Sequence, residues 1–186
     1  MTPIVSALMG FFIFSANLGL GPVAFAEAEP VLPSYQVSLT GYNAVPGQTD
    51  SDPFTTASGA YSNPDIVAAR SRDLADKLPF GTVIAIYPND TSSPGCGYPV
   101  VADYIGLRVV ADSMNPRIHN TVDLLFSIHD NIALGNRTRN AANVLGICED
   151  VRVEVVGHID ISEIPDTQEA LVAMIDGDGD KFAVAR

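Results

Sequence analysis

The chain of 186 residues is long enough for one domain with a substantial core. Its 22 acidic residues outnumber its 10 basic residues, and the formal net charge is −12. This balance argues against a surface that binds nucleic acid or an anionic membrane, since both need a basic patch. Acidity by itself identifies no partner.

The N-terminal segment predicts export. Residues 1–26 contain no charged side chain, and residues 4–20 are mostly apolar. The stretch Ala24-Phe25-Ala26 before Glu27 is typical of a signal peptidase site, so we expect a signal peptide over residues 1–26. The mature protein would then be secreted, periplasmic or associated with the cell wall. No Lys or Arg precedes the apolar run, and the alternative is a retained anchor, with membrane contact through this segment alone.

The first part of the domain is predicted to contain two strands. After a lead-in over residues 27–34, residues 35–42 alternate between apolar and polar and predict a strand. Residues 43–63 are rich in Gly, Pro, Ser, Thr and Asp and predict a long loop. Helical spacing follows over residues 65–78, then a strand over 81–87 and a turn-rich connection over 88–99.

The second part continues the pattern of short strands. Extended pieces at residues 100–103 and 107–111 precede a polar loop, 112–120, and a strand, 121–127. Residues 131–145 are weakly helical, and residues 151–161 are the clearest strand because β-branched residues alternate along them. The last predicted helix, 167–175, has Asp166 as its expected N-cap and Glu169 at capping-box spacing. Together these elements predict a mainly β domain, a small barrel, over residues 35–161, followed by a helix and an acidic tail over 162–186.

Cys96 and Cys148 are the two cysteines of the chain. In an exported protein an even count predicts a disulfide between them. Two separate buried thiols are the alternative, because the sequence does not show that the sulfur atoms meet.

Two acids flank the polar loop before the strand at residues 121–127. Asp112 ends one predicted strand and Asp123 lies within the next, so the loop between them allows both side chains to reach one rim of a barrel. The neighbours of Asp123 are Val122, Leu124 and further apolar residues, and loss of hydration there would raise its pKa. A raised pKa is what a general acid needs near neutral pH. The alternative is that both acids cap turns.

Several motifs occur in the order found in one known family. They are Thr40-Gly41-Tyr42, Thr56-Ala57-Ser58-Gly59, Pro79-Phe80-Gly81-Thr82, the two acids Asp112 and Asp123 eleven residues apart, and a Val-rich strand at residues 151–156. In these features residues 35–161 resemble the 3D (three-aspartate) domain of membrane-bound lytic transglycosylase A type proteins and of spore-cortex and resuscitation-type proteins.

The chain departs from that family pattern in three places, one of which is a longer connection over residues 88–99. The family has Thr-Gly-Gly after the first acid of the pair, whereas Ser113-Met114-Asn115 follows Asp112 here and is similar to a subgroup with x-Met-Asn. The family's first aspartate lies in a Val-Ala-x-Asp-Pro segment, where this chain has Val67-Ala68-Ala69-Arg70. Asp73 and Asp76 are the candidates to replace it.

The resemblance implies a double-psi β-barrel that acts on peptidoglycan glycan strands without a cofactor. With the elements above, the predicted fold is a mainly β, six-stranded double-psi barrel with short helices and a C-terminal helix. In lytic transglycosylases of this kind, one aspartate protonates the glycosidic oxygen between N-acetylmuramic acid and N-acetylglucosamine. The same aspartate then takes the proton of the C6 hydroxyl as a 1,6-anhydro ring closes. By position, Asp123 would carry this role and Asp112 would orient or tune it. The matching segments imply a set of substrate-binding residues: Tyr42, Thr56, Ser58, Gly59, Met114, Asn115 and Arg117.

Two other functions remain open. A non-catalytic glycan-binding barrel is favoured by the replaced Thr-Gly-Gly and the missing first aspartate. A purely structural envelope module would have Asp112 and Asp123 occupied by backbone hydrogen bonds, with no groove beside them.

The sequence offers few further candidates for metal binding or for contacts with sugar rings. The run Asp-Gly-Asp-Gly-Asp at residues 176–180 resembles the start of a calcium loop, but Lys181 stands where such a loop needs glycine, so we expect a solvated tail and no metal. His119, His129 and His158 show no metal-ligand spacing with the cysteines. Trp is absent, so that sugar stacking would fall to Tyr or Phe, with Tyr42 and Tyr104 as options.

Overall fold

The structure is a computed structural model that describes residues 32–49, 52–89 and 94–177. The strands are β1 (Ser34–Asn43), β2 (Val67–Arg70), β3 (Thr82–Pro88), β4 (Arg108–Ser113), β5 (Thr121–Phe126), β6 (Asn131–Leu134), β7 (Arg137–Asn140) and β8 (Cys148–His158). The helices are α1 (Tyr98–Val101), α2 (Ala141–Leu145) and α3 (Gln168–Gly177), with 3-10 turns at Arg72–Leu74, Ala102–Tyr104 and Ile161–Glu163. The predicted signal peptide lies outside the described residues.

Six of the strands close into a barrel in the order β1-β5-β2-β4-β3-β8. The pairs β1–β5 and β2–β4 are parallel, and the other four pairs are antiparallel. Closure pairs every strand on both sides and leaves no open sheet edge. The predicted mainly β, six-stranded barrel with a C-terminal helix is therefore confirmed, and its mixed pairing is compatible with the double-psi type.

Apolar side chains fill the barrel, as expected for a barrel of this size. The interior cluster draws on all six strands and includes Leu39, Ala68, Ile84, Val110, Leu124 and Val153. A second cluster lies on the outer face of β1, β5, β2 and β4 and contains Tyr42, Val67, Ala69, Ala111, Met114 and Leu125. Residues from the long connection after β1 and from the segment after β8 pack on this second cluster. That outer face is where the candidate site lies.

Three local predictions were wrong. Residues 65–78 contain β2 and a 3-10 turn instead of a helix, because β2 is buried on both faces and therefore lacks the alternation that identifies a strand. Residues 131–140 form the β6–β7 hairpin, and only α2 after them is helical. The expected extended piece at residues 100–103 lies instead in α1 and the 3-10 turn that follows it.

The C-terminal helix is confirmed, but its cap is one residue further along than predicted. The Thr167 hydroxyl accepts the Ala170 N–H at 3.3 Å, which places the capping side chain at Thr167 instead of Asp166. Among the described residues, no helix has the length and apolar character needed to cross a membrane.

Cys96 and Cys148 form the predicted disulfide, with an S–S distance of 2.02 Å. It joins the connection before α1 to the first residue of β8. This bond is consistent with an oxidising, exported environment.

Arg108 is a buried arginine whose hydrogen bonds link the connections between strands to the barrel. Its side chain is fully buried, and its guanidinium donates to five backbone carbonyls, those of Pro64, Val67, Tyr104, Ile105 and Leu125. Burial lowers its pKa to about 10, so that the group remains charged at neutral pH.

Candidate functional site

Four side chains form a row across the outer face of the barrel. In the strand register Thr40 of β1 is level with Asp123 of β5, Asp123 is level with Ala69 of β2, and Ala69 is level with Asp112 of β4. Lateral neighbours in a sheet point to the same face. Because neighbouring strands lie about 4.8 Å apart and β2 lies between β5 and β4, the Cα atoms of the two aspartates are separated by about 10 Å along the row. The small Ala69 side chain leaves the space between them open.

A β-bulge brings Asp112 into this row. Ala68 is level with Val110, but the next residue, Ala69, is level with Asp112, so that Ala111 is the extra residue on β4. Without the extra residue Asp112 would share the inward face with Val110, which lies in the barrel core. Bulges re-aim side chains in this way next to functional sites.

Asp123 is the acid with the perturbed ionisation. Its Oδ1 accepts a 2.7 Å hydrogen bond from the Thr40 hydroxyl, and no other hydrogen bond reaches its carboxyl from the described part of the chain. Burial raises the pKa of Asp123 to about 6; the Thr40 bond opposes this shift and the charge of Asp112 adds to it. The raised pKa that the apolar neighbours predicted is confirmed, and about a tenth of these carboxyls would hold a proton at pH 7.

Asp112 is held by three donors. Its Oδ1 accepts the backbone N–H groups of Ala57 and Ser113 at 2.9 and 2.8 Å, and its Oδ2 accepts the Tyr42 hydroxyl at 3.0 Å. Burial, followed by the charge and hydrogen bond of Asp112, raises the pKa of Tyr42 well above its usual value, so that Tyr42 stays a donor. Asp112 is therefore a fixed carboxylate, whereas Asp123 has one partner.

The sequence motifs supply these contacts. In the first motif, Thr40 and Tyr42 face the two acids, and a Cβ at Gly41 between them would lie 2.9 Å from the Phe126 ring on the opposite face. In the second motif, the Gly59 N–H donates to the Thr56 carbonyl at 2.9 Å. Gly59 has φ +89°, which favours glycine. The resulting turn presents the Ala57 N–H to Asp112.

A cleft of about 590 Å³ opens above the row. This volume is within the range of small-molecule sites. Both acids line it, together with Ala69 from β2, part of the connection after β1, and the segment after β4. The lining residues are Tyr42, Gln48, Thr49, Pro53, Thr55, Ala57, Ser62, Ala69, Arg72, Asp112, Ser113, Met114, Asn115, Ile118 and Asp123.

The predicted substrate-binding residues divide into three groups. Tyr42, Met114 and Asn115 line the cleft with the acids. Three others, Thr56, Ser58 and Gly59, belong to the turn that holds Ala57 against Asp112. Arg117 is exposed and does not line the cleft.

Neither candidate for the family's missing aspartate lines the cleft. Asp73 accepts the Asn120 N–H at 3.0 Å and lies 3.8 Å from His119 Nδ1. A hydrogen bond from the Ser71 hydroxyl is the main cause that lowers its pKa. At the matching position, the buried Arg70 donates to the Leu78 carbonyl at 2.9 Å and stacks on Phe80. Arg70 therefore has a structural role.

Sequence reasoning missed three features of the site: Thr40, which donates to Asp123, Ala69, which separates the two acids, and Arg72, a cation that lines the cleft. Thr40 belongs to the motif Thr40-Gly41-Tyr42, but its pairing with Asp123 joins residues that are 83 positions apart, and the sequence does not indicate such a distant contact. Phe54 and Tyr61 were also missed. They are 63% and 66% exposed on a turn-containing segment, several residues of which line the cleft.

A scan against models of protein families finds no match, and a search of curated proteins finds no significant similarity. In the described ranges no three His, Cys, Asp or Glu side chains are grouped closely enough to hold a metal ion. The tail considered for calcium extends beyond the described residues.

Proposed function

We propose that this chain is an exported, peptidoglycan-active 3D-type domain with lytic transglycosylase chemistry, and that Asp123 is its acid and base. The observation that carries the proposal is the state of Asp123. It is a largely buried carboxyl with a pKa of about 6 and a single hydrogen bond, at the edge of a cleft large enough for sugar rings. A group that is part protonated near neutral pH can both give and take a proton.

The reaction needs only one proton carrier. Protonated Asp123 gives its proton to the glycosidic oxygen, and the bond from that oxygen to the anomeric carbon of N-acetylmuramic acid breaks. The C6 hydroxyl of the same sugar then bonds to the anomeric carbon, and its proton passes to the Asp123 carboxylate. The products are a 1,6-anhydro sugar and a free chain end, and the enzyme is returned to its starting state.

The fixed state of Asp112 supports a single-aspartate reaction over a two-carboxylate hydrolysis. In a glycosidase of the usual type the second carboxylate attacks the sugar or activates water. Both oxygens of Asp112 are already occupied by donors. In the proposed reaction its charge stabilises the positive charge that develops on the sugar ring and helps to raise the pKa of Asp123.

Exposed aromatic residues next in sequence to residues that line the cleft suit a sugar substrate. Tyr42 is buried and its hydroxyl is bound to Asp112, so that it does not offer a ring face. Tyr104 does not line the cleft. Phe54 and Tyr61 do not line the cleft either, but their chain neighbours Pro53, Thr55 and Ser62 do. Because both residues are largely exposed, Phe54 and Tyr61 are the proposed stacking residues instead.

The second candidate is a glycan-binding barrel without catalysis. It is supported by Ser113-Met114-Asn115 in place of Thr-Gly-Gly, and by Arg70 at the position of the first aspartate of the 3D pattern. The cleft and the sparsely bonded Asp123 argue against a purely structural module, for which we expect both acids to be occupied and no groove to be present.

The test is the release of anhydro-muropeptides from purified peptidoglycan, detected by mass. The wild type, Asp123→Asn and Asp103→Asn are compared; Asp103 is exposed and does not line the cleft. We expect Asp123→Asn to lower the rate about 10²–10⁴-fold and Asp103→Asn to leave it unchanged. Equal rates for all three would refute the role of Asp123. Binding to peptidoglycan without product from the wild type would establish the second candidate.

A further inference from the structure

Arg72 is the one cation that lines the cleft in the described part of the chain. It is exposed, and none of the described residues forms a hydrogen bond or an ion pair with its guanidinium. The pKa of Asp123 responds to burial, Thr40 and Asp112, and Arg72 is not among its causes. The Arg72 charge is therefore not used to neutralise the acidic row.

The backbone at Arg72 is held firmly although its side chain is unpartnered. The preceding residue, Ser71, is fully buried and exchanges two hydrogen bonds with Thr121 at the start of β5, one through its N–H at 2.9 Å and one through its Oγ at 3.1 Å. Leu74, at the other end of the same 3-10 turn, is buried in the barrel core. The turn fixes the point from which the Arg72 side chain starts, next to the cleft.

The chain has 22 acidic and 10 basic residues, and Arg72 places one of its cations in a cleft that contains two acids. Among the described residues that line the cleft, Asp112 and Asp123 are the other charged groups, so that without Arg72 these residues would repel an anionic ligand. A guanidinium has a planar fork of donors that matches a carboxylate with two parallel hydrogen bonds. The charge pattern of the cleft thus suits a mostly neutral ligand with a carboxylate at one end.

We propose that Arg72 binds a carboxylate of the glycan substrate and makes the cleft select anionic over neutral sugar chains; this inference rests on the proposed function. Peptidoglycan offers two sources. One is the lactyl carboxylate of N-acetylmuramic acid without a peptide, and the other is a carboxylate of the stem peptide. The chemistry at Arg72 is the same for both.

The experiment compares three tetrasaccharides by titration calorimetry. Chitotetraose is neutral, the alternating N-acetylglucosamine–N-acetylmuramic acid tetrasaccharide carries lactyl carboxylates, and its stem-peptide form carries peptide carboxylates instead. All proteins contain Asp123→Asn so that no ligand is consumed. Arg72→Gln is compared with Arg72 intact and with Arg137→Gln, an exposed arginine on β7 outside the cleft, and thermal melts establish that each variant is folded.

With Arg72 intact, we expect one anionic ligand to bind about tenfold more tightly than chitotetraose, and the ratio to shrink at high salt. Arg72→Gln should abolish this preference and Arg137→Gln should retain it. The preferred anionic ligand identifies the source of the carboxylate. The inference would be overturned if Arg72→Gln kept the preference for the anionic ligand, or if the protein with Arg72 intact showed no such preference. In either case, binding of chitotetraose would still support a glycan-binding cleft. Failure of all three ligands to bind would overturn both proposals.

Discussion

Asp123→Asn is expected to stabilise the folded protein at neutral pH. The pKa of the Asp123 carboxyl rises from 3.8, its ordinary value, to about 6 on folding. Between these values the folded state binds a proton that the unfolded state releases. The stability contributed by this proton is therefore fully present below about pH 4 and is lost as pH rises through about 6. Two pKa units correspond to about 3 kcal/mol at most.

The amide variant removes the cost of ionising this site. Its side-chain oxygen still accepts the Thr40 hydroxyl, and it carries no charge to desolvate. The gap in unfolding free energy between Asp123→Asn and wild type should therefore grow by as much as about 3 kcal/mol between pH 4 and pH 7.5. Other carboxyls titrate in both proteins, and the difference between the two cancels their effect.

Urea unfolding of both proteins at several pH values measures the gap directly, provided that the slope of the transition is unchanged. At neutral pH the variant should also melt several degrees higher. A gap that does not vary with pH, or a variant that is less stable than wild type at pH 7.5, would refute the argued burial of Asp123. The latter result is what a structural aspartate would give.

Three further perturbations test the surrounding structure. Asp112→Ala leaves the Tyr42 hydroxyl and two backbone N–H groups without their acceptor, and should cost about 1–3 kcal/mol in urea unfolding; no loss would contradict the fixed role of Asp112. Reduction of the Cys96–Cys148 bond, with a sequence separation of 52, should cost about 4 kcal/mol in the chain-entropy model, read as a lower melting temperature with reductant. An unchanged melting temperature would contradict a stabilising bond. Arg108→Met fills similar space but strands several buried carbonyls, and should cost about 3–5 kcal/mol by denaturant unfolding; a neutral result would show that these carbonyls find other donors.

The barrel was predictable from the sequence where its strands alternate or are rich in β-branched residues. Strands β1 and β8 were recognised for these reasons. Strand β2 was not, because Val67, Ala68, Ala69 and Arg70 are all buried and a strand covered on both faces has no alternation. The β6–β7 hairpin is exposed along most of its length, and it too lacks an alternating pattern.

The sequence pointed to the two acids that line the cleft, Asp112 and Asp123, but it did not predict their arrangement. The row from Thr40 to Asp112 depends on two parallel pairings and one antiparallel pairing of strands that are distant in sequence, and on a bulge in β4. None of these leaves a local signal. The sequence likewise does not show that the Arg72 guanidinium lacks a partner among the described residues. That conclusion requires the positions of its neighbours.

The dependence of anhydro-muropeptide release on pH tests the central claim most directly, because the reaction begins with the protonated form of Asp123. The rate per enzyme is measured on one peptidoglycan preparation from pH 4.5 to pH 8.5. We predict a plateau below about pH 6 and a fall of about tenfold per pH unit above it. A rate that stays constant through this range, or that rises with pH, would contradict the assignment of Asp123 as the acid.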